Sequence, residues 1–522
     1  MIALEAVSRP EIAGPPALGL LSALFARLHA ERITYCHWKS NEHLRPSMLG
    51  LTDLDLLVHH GSASRLPQVL ETLGFKRFQA RPGRGYPGIE DYVGFDPDSG
   101  RLSHLHIHYQ LTLGARYLKG HRLPWEDVFL MGRRLDRENG VFVASPEAEM
   151  LVLIARAALK IRWRDRVRSV FATSYVGGDT LRELRWLAER VDLHQLATLA
   201  RRLVGEAAAR ILQEIAEVPR PTRSQLRDFQ QQCVPSLDSY RIYGPLTGLV
   251  RQWTRELRSV GERVHRKVFG GLRAAPRTAP RGGRVVAIIG ADGAGKSTVT
   301  REVGSWLSRQ SWVITAYGGS GDGSASALRR LLERAARLAR MLPGGGRKND
   351  VDRTAKRSGG AGDPTALESR LTPKTFWKAM WVMSLARERR GKVAEAWQAR
   401  SLGAVVLADR HPQTQFPGLS DGPQLTPWRS TGSRLLRFAA ERERRAFEAM
   451  NRYPPDVVIK LLVSPEVALA RKSARSENQL RRKVEVIRQL RYPTGTRVVE
   501  VDANLPLERV LLDVKRAVWE SL

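Results

Sequence analysis

Val285-Val286-Ala287-Ile288-Ile289 runs directly into Gly290-Ala291-Asp292-Gly293-Ala294-Gly295-Lys296-Ser297. An uninterrupted apolar run of this length reads as a strand buried on both faces. The eight residues after it match G-x-x-x-x-G-K-[ST], the phosphate-binding loop, in the context that gives the pattern meaning: after a strand and before helical text. Glycines let the backbone turn its N–H groups toward phosphate oxygens, and the helix expected from about Ser297 adds its positive end. Gly290, Asp292, Gly293, Ala294, Gly295, Lys296, Ser297 and Thr298 are therefore the candidate ATP-binding residues. Lys296 is placed to reach the β and γ phosphates, and the Ser297 hydroxyl to bind Mg²⁺.

Working outward, apolar runs at Trp312–Tyr317, Val405–Ala408, Val457–Val463 and Val498–Val501 alternate with helical text. That alternation predicts an α/β domain over 284–522, with a parallel sheet flanked by helices. The run Val405–Ala408 ends in Asp409-Arg410-His411, at the carboxyl edge where ligands of open α/β sheets bind. Asp409 suits Mg²⁺ or its water shell, and Arg410 suits a phosphate. Farther on, Ala470-Arg471-Lys472-Ser473-Ala474-Arg475 and Arg481-Arg482-Lys483 concentrate cations in the manner of a lid closing over transferring phosphates. An insertion at 318–372 is rich in Gly, Ser, Asp, Lys and Arg around Gly318–Ser326 and Pro343–Pro364, a composition that predicts mobile loops. Within it, Ala327–Leu342 reads as a basic amphipathic helix packing on the same domain.

These motifs resemble the thymidylate kinase family: Gly290–Thr298 with Asp292 inside the loop, Asp409-Arg410 after a central strand, and Pro455-Asp456 followed by Ser464–Arg471. The resemblance spans Arg284–Leu522. It implies that Asp292 lies near the acceptor sugar, Arg410 near the acceptor phosphate, and Arg471 and Arg475 in a lid that supplies the cation missing from the loop at Gly293 and Ala294. The implied reaction moves the γ-phosphoryl of MgATP to a nucleoside monophosphate, catalysed by Lys296, Asp409, Arg410, Arg471 and Arg475. His411–Gly418 departs from the family by lacking its Tyr-Gln-Gly segment, which leaves the acceptor open among phosphorylated and hydroxyl compounds.

The first 144 residues predict a small α/β domain. Asp53 and Asp55 sit at i and i+2 of an apolar stretch, on one face of a strand, where they could share a divalent ion. This resembles the D-x-D strand of nucleotidyltransferase-fold proteins, and His106–Leu111, within a strand expected over Leu105–Leu111, resembles the later strand carrying the third carboxylate, a place taken here by His106. His104, His106 and His108 share a strand face and add a transition-metal reading. Residues 145–269 read as a helical section and 270–283 as a linker.

Composition bounds the rest. The 522 residues carry 85 Lys and Arg against 53 Asp and Glu, a net charge of +32, which draws phosphates, nucleic acid or anionic membrane without choosing among them. Two cysteines exclude a disulfide scaffold and fit a reducing compartment. The run Ala17–Leu28 lacks the basic leader of a signal peptide, so the expected location is cytoplasmic. Expected partners are nucleotide substrates; a homodimer, nucleic acid and a membrane surface stay open. Two other functional readings compete: a nucleotidyltransferase with an accessory kinase-like domain, and a nucleotide-switched protein that binds nucleic acid or membrane.

Overall fold

The computed structural model describes residues 16–80, 85–115, 118–160, 178–218, 221–269, 277–317, 372–471 and 477–522. The chain divides into two compact units, Met1–Pro280 and Arg281–Leu522. Arg475, the basic stretch 327–342 and the insertion's two Gly-rich runs lie outside the described residues.

Among the described residues, the first unit is built on ten strands: β1 (Tyr35–His37), β2 (Leu54–Val58), β3 (Lys76–Ala80), β4 (Ile89–Phe95), β5 (Leu102–His108), β6 (Leu111–Ala115), β7 (Leu118–Leu123), β8 (Arg134–Asp136), β9 (Val141–Val143) and β10 (Arg277–Thr278). Eight form one mixed sheet in the order β10-β3-β4-β5-β2-β1-β9-β8, and β6 and β7 pair apart as a hairpin. The apolar stretch expected to run unbroken from Leu105 to Leu111 is divided at Tyr109-Gln110, so β5 stays in the large sheet and Leu111 opens the hairpin. Arg277-Thr278, in the stretch read as linker, pairs antiparallel with Gln79-Ala80 and extends the sheet. Two residues suffice for such an edge strand and leave no periodicity to read.

Helices Pro146–Leu159, Gly178–Ala188, Leu193–Val204, Glu206–Glu217 and Arg223–Asp238 share one apolar core with Cys36, Trp38 and Leu57 from the sheet. The helical section is therefore part of the first unit's packing. Polar ties reinforce it: Asn41 donates its backbone N–H and its side-chain amide to Glu149 at 2.9 and 2.6 Å, and the Ser40 N–H donates to Glu183. Burial raises the Glu149 carboxyl to about 8, partly offset by those Asn41 hydrogen bonds.

The second unit has β11 (Arg284–Gly290), β12 (Val313–Tyr317), β13 (Val405–Asp409), β14 (Val457–Leu462) and β15 (Arg497–Asp502) in the order β12-β13-β11-β14-β15, every pair parallel. All five residues of β13 and the interior of β11 are buried, as expected for strands covered by helices on both faces. The strand that feeds the phosphate-binding loop is thus the central one. Among the described residues, no helix is long and apolar enough to cross a membrane.

Candidate functional site: the loop after β11 and its cationic cleft

Two glycines give the loop its shape. Gly293 and Gly295 have φ of +86° and +84°, a region that side chains disfavour, and a Cβ on Gly293 would stand 2.6 Å from the carbonyl oxygen of Ala468. The helix Lys296–Ser308 starts immediately after Gly295, one residue earlier than its sequence suggests, so its unpaired first-turn N–H groups face the loop. Lys296 is buried, and its ammonium donates to the Ala291 carbonyl at 2.7 Å. Burial, then the charge of Arg410, pull its pKa down to about 8, against the opposing pull of Asp292, Asp409 and Asp421.

Sheet register places the second element. Ile288 of β11 pairs with Asp409 of β13, which sets that carboxylate beside the mouth of the loop. The Ser297 hydroxyl donates to Asp409 Oδ2 at 2.6 Å, while Oδ1, also buried, has no hydrogen-bond partner among the described residues. An orphaned buried carboxylate oxygen beside a serine hydroxyl is a donor set that suits Mg²⁺, an oxygen-seeking ion held by one or two protein groups. Ser297 and Asp409 therefore fit the ion that the loop motif implies.

Next to Asp409, Arg410 has a φ of +82°. Such a backbone costs a non-glycine residue on the order of 1–3 kcal/mol, and it persists because the surroundings fix it. The Arg410 N–H donates to the Ile288 carbonyl at 3.1 Å, and its guanidinium reaches Asp421 Oδ2 and Asp292 Oδ1, each at 3.4 Å. Both carboxylates have a second cation: Arg389 Nη2 lies 2.8 Å from Asp421, and Lys483 Nζ lies 2.6 Å from Asp292. The result is an alternating chain, Arg389–Asp421–Arg410–Asp292–Lys483. Burial works against ionisation of Asp292, but the hydrogen bond and charge of Lys483, with Lys296 and Arg410, hold its carboxyl at about 2.

This alternating series of ion pairs lines an open cleft beside the loop. Lys296, Arg389, Arg410 and Lys483 face it against Asp292 and Asp421, which leaves a positive surplus for an anion. Trp381, Leu385, Ile487 and Leu490 supply an apolar wall.

The structure thus brings Asp292, Lys296, Ser297, Asp409 and Arg410 together, with Gly290, Gly293, Ala294, Gly295 and Thr298 forming or flanking the loop. Arg471 is turned elsewhere: its guanidinium donates to the Ala503 carbonyl at 2.7 Å. Arg481 is engaged by Glu477 and Glu466. Of the cations grouped as a lid, Lys483 is, among the described residues, the one that lines the cleft. Arg389 and Asp421 carry no motif. Arg389 sits in the charged run Arg387-Glu388-Arg389-Arg390, and only the packing of the helix Pro373–Ser401 singles it out as buried.

In the first unit, Asp53 and Asp55 have separate partners. Asp53 lies 2.9 Å from His104 Nδ1, and His104 Nε2 lies 2.8 Å from Asp91, which Arg277 also holds. Asp55 is engaged by Lys39, His106 and His108.

No protein-family model matches the chain. Two proteins of Escherichia coli strain K12 are similar to part of it. The uncharacterized ATP-binding protein YghR is 27% identical over 240 residues, 45% of this chain and 86% of that protein. The uncharacterized ATP-binding protein YghS is 29% identical over 241 residues, 46% of this chain and 94% of that protein. Among solved structures, the deoxyadenosine kinase from M. mycoides with bound dATP shows 16% identity and a TM-score of 0.24, covering 45% of this chain and 98% of that one. The chain is therefore similar, over somewhat less than half its length, to two bacterial proteins that carry the name ATP-binding.

Proposed function

We propose that the second unit is an ATP-dependent phosphotransferase of the nucleotide kinase type, moving the γ-phosphoryl of MgATP to a phosphorylated acceptor such as a nucleoside monophosphate. The single observation that carries this reading is the continuity of the Lys296 loop with a cleft whose cations outnumber its carboxylates. The names of the two E. coli relatives support ATP as the donor.

The loop amides and Lys296 bind the triphosphate, with the ammonium balancing charge on the β and γ oxygens. Ser297 and Asp409 would hold Mg²⁺, which when bound neutralises phosphate charge. Arg410, flanked by Arg389 and Lys483, orients the acceptor's anionic group in line with the donor. Trp381 and Leu385 offer an apolar face to an acceptor's base.

Asp292 supports one acceptor class over another. A hydroxyl acceptor needs a general base whose pKa lies near the working pH. Asp292, held at about 2 and ion-paired through both oxygens, is a poor base. A phosphate oxygen is already ionised and needs none, so the cleft favours a phosphorylated acceptor over a free nucleoside or sugar. The test is transfer of labelled γ-phosphate from ATP to a panel of nucleoside monophosphates, nucleosides and sugar phosphates, with Lys296→Ala as control. Label appearing on a monophosphate supports the reading; label released only to water, equally in both proteins, overturns it.

A further inference from the structure

The first unit holds a second constellation that the phosphotransferase reading does not use. β2 and β5 are parallel neighbours in the middle of the large sheet, with Asp55 paired to His106 and Leu57 to His108. Because side chains alternate along a strand, His106 and His108 lie on the same face as Asp55. Their ligand atoms converge: Asp55 Oδ1 to His106 Nδ1 is 3.0 Å, Asp55 Oδ1 to His108 Nε2 is 3.5 Å, and His106 Nδ1 to His108 Nε2 is 3.2 Å.

We propose that Asp55, His106 and His108 form a binding site for one divalent transition-metal ion of the zinc class. Ligands held ~2.0–2.1 Å from a tetrahedral ion stand about 3.3 Å from one another, and the three measured separations bracket that value. Three such atoms make one face of a tetrahedron. His108 and Asp55 are largely buried, whereas the His106 side chain is 25% exposed, so solvent reaches the edge of the cluster. Three protein ligands with one open position is the pattern of reactive zinc sites and not of closed structural ones.

Donor chemistry selects the ion. Two imidazoles and one carboxylate suit zinc and its neighbours, while magnesium prefers oxygen alone. The carboxylate that could have made an oxygen-rich site, Asp53, is committed to His104. A cation already stands at the cluster, the Lys39 ammonium, 2.7 Å from Asp55 Oδ1. Lys39 is thus a built-in competitor that a divalent ion must displace from the oxygen it would share.

The experiment titrates the full-length chain, first cleared of metal with a chelator, with zinc by calorimetry and with cobalt(II) by visible absorption. One ion per chain is expected, with cobalt absorption of tetrahedral intensity. His106→Ala should bind at least ~100-fold more weakly, beyond the ~10–100-fold that losing an outer partner of a ligand costs. Lys39→Met should bind at least about threefold tighter, since it removes a largely buried ammonium that opposes the metal at Asp55 Oδ1. Equal binding by wild type and His106→Ala, or weaker binding by Lys39→Met, overturns the site. Should His106→Ala fail to fold, His106→Gln and Lys39→Met carry the same comparison.

Discussion

Asp55 in the first unit and Asp409 in the second are both carboxylates on strands of a central sheet, yet their surroundings differ in kind. Asp55 meets two imidazoles and an ammonium, all converging on one oxygen. Asp409 takes a single serine hydroxyl on one oxygen and keeps the other without a hydrogen bond among the described residues. The neighbours, and not the carboxylate, decide which ion each place suits: nitrogen donors turn the first toward zinc, and oxygen alone turns the second toward magnesium. A strand-borne aspartate is therefore a weak guide to chemistry until the residues opposite it are known.

The contrast can be broken most decisively at Lys296. Lys296→Ala should lower phosphoryl transfer by at least ~10³, as loss of a preorganised charge donor does, and leave zinc binding to the first unit unchanged. Labelled-phosphate transfer and zinc titration on one preparation check both halves. Arg389→Met should follow, since it strands Asp421 with half its ion pairing; breaking a buried pair costs ~3 kcal/mol or more, so the second unit should melt earlier while the first does not move. Hydrogen exchange resolved along the chain tells the two apart. Ligands sharpen the comparison further. Zinc should protect β2 and β5 and MgATP the loop after β11, each by ~2.7 kcal/mol at a hundredfold excess over its dissociation constant. Protection of both regions by either ligand would contradict the assignment.

The smallest expected effect is the pH dependence of Lys296. Its pKa in the free chain is about 8, and a bound triphosphate favours the ammonium form. MgATP affinity should be full below pH 8 and fall by up to about tenfold per unit above it, measured by calorimetry. The free chain has the opposite sign. The unfolded lysine keeps its proton toward 10.5, the folded one only to about 8, so the second unit gains stability as pH rises between those values.

Much of the second unit was legible because its signals are local. Gly290–Ser297 and Asp409-Arg410 lie on contiguous stretches, and an apolar run marks each of the five strands of the sheet. The contacts that finish the cleft are long-range. Lys483 meets Asp292 across 191 positions and Arg389 meets Asp421 across 32, and nothing in a basic run distinguishes the one cation that faces inward. The same holds in the first unit. The spacing of His104, His106 and His108 showed a shared face, but only the β2–β5 register reveals that His106 and His108 go to Asp55 while His104 goes to Asp53. The break at Tyr109-Gln110 has no signal of its own in the sequence, since no glycine or proline marks it.

The left-handed backbone at Arg410 sets two pressures against each other. Glycine there would relieve the twist and make the fold hardier, while removing the guanidinium that faces the cleft. A library of variants sorted only for heat tolerance should drift to glycine at this position, and one sorted for turnover should return to arginine, so the residue found there records which demand the lineage has met.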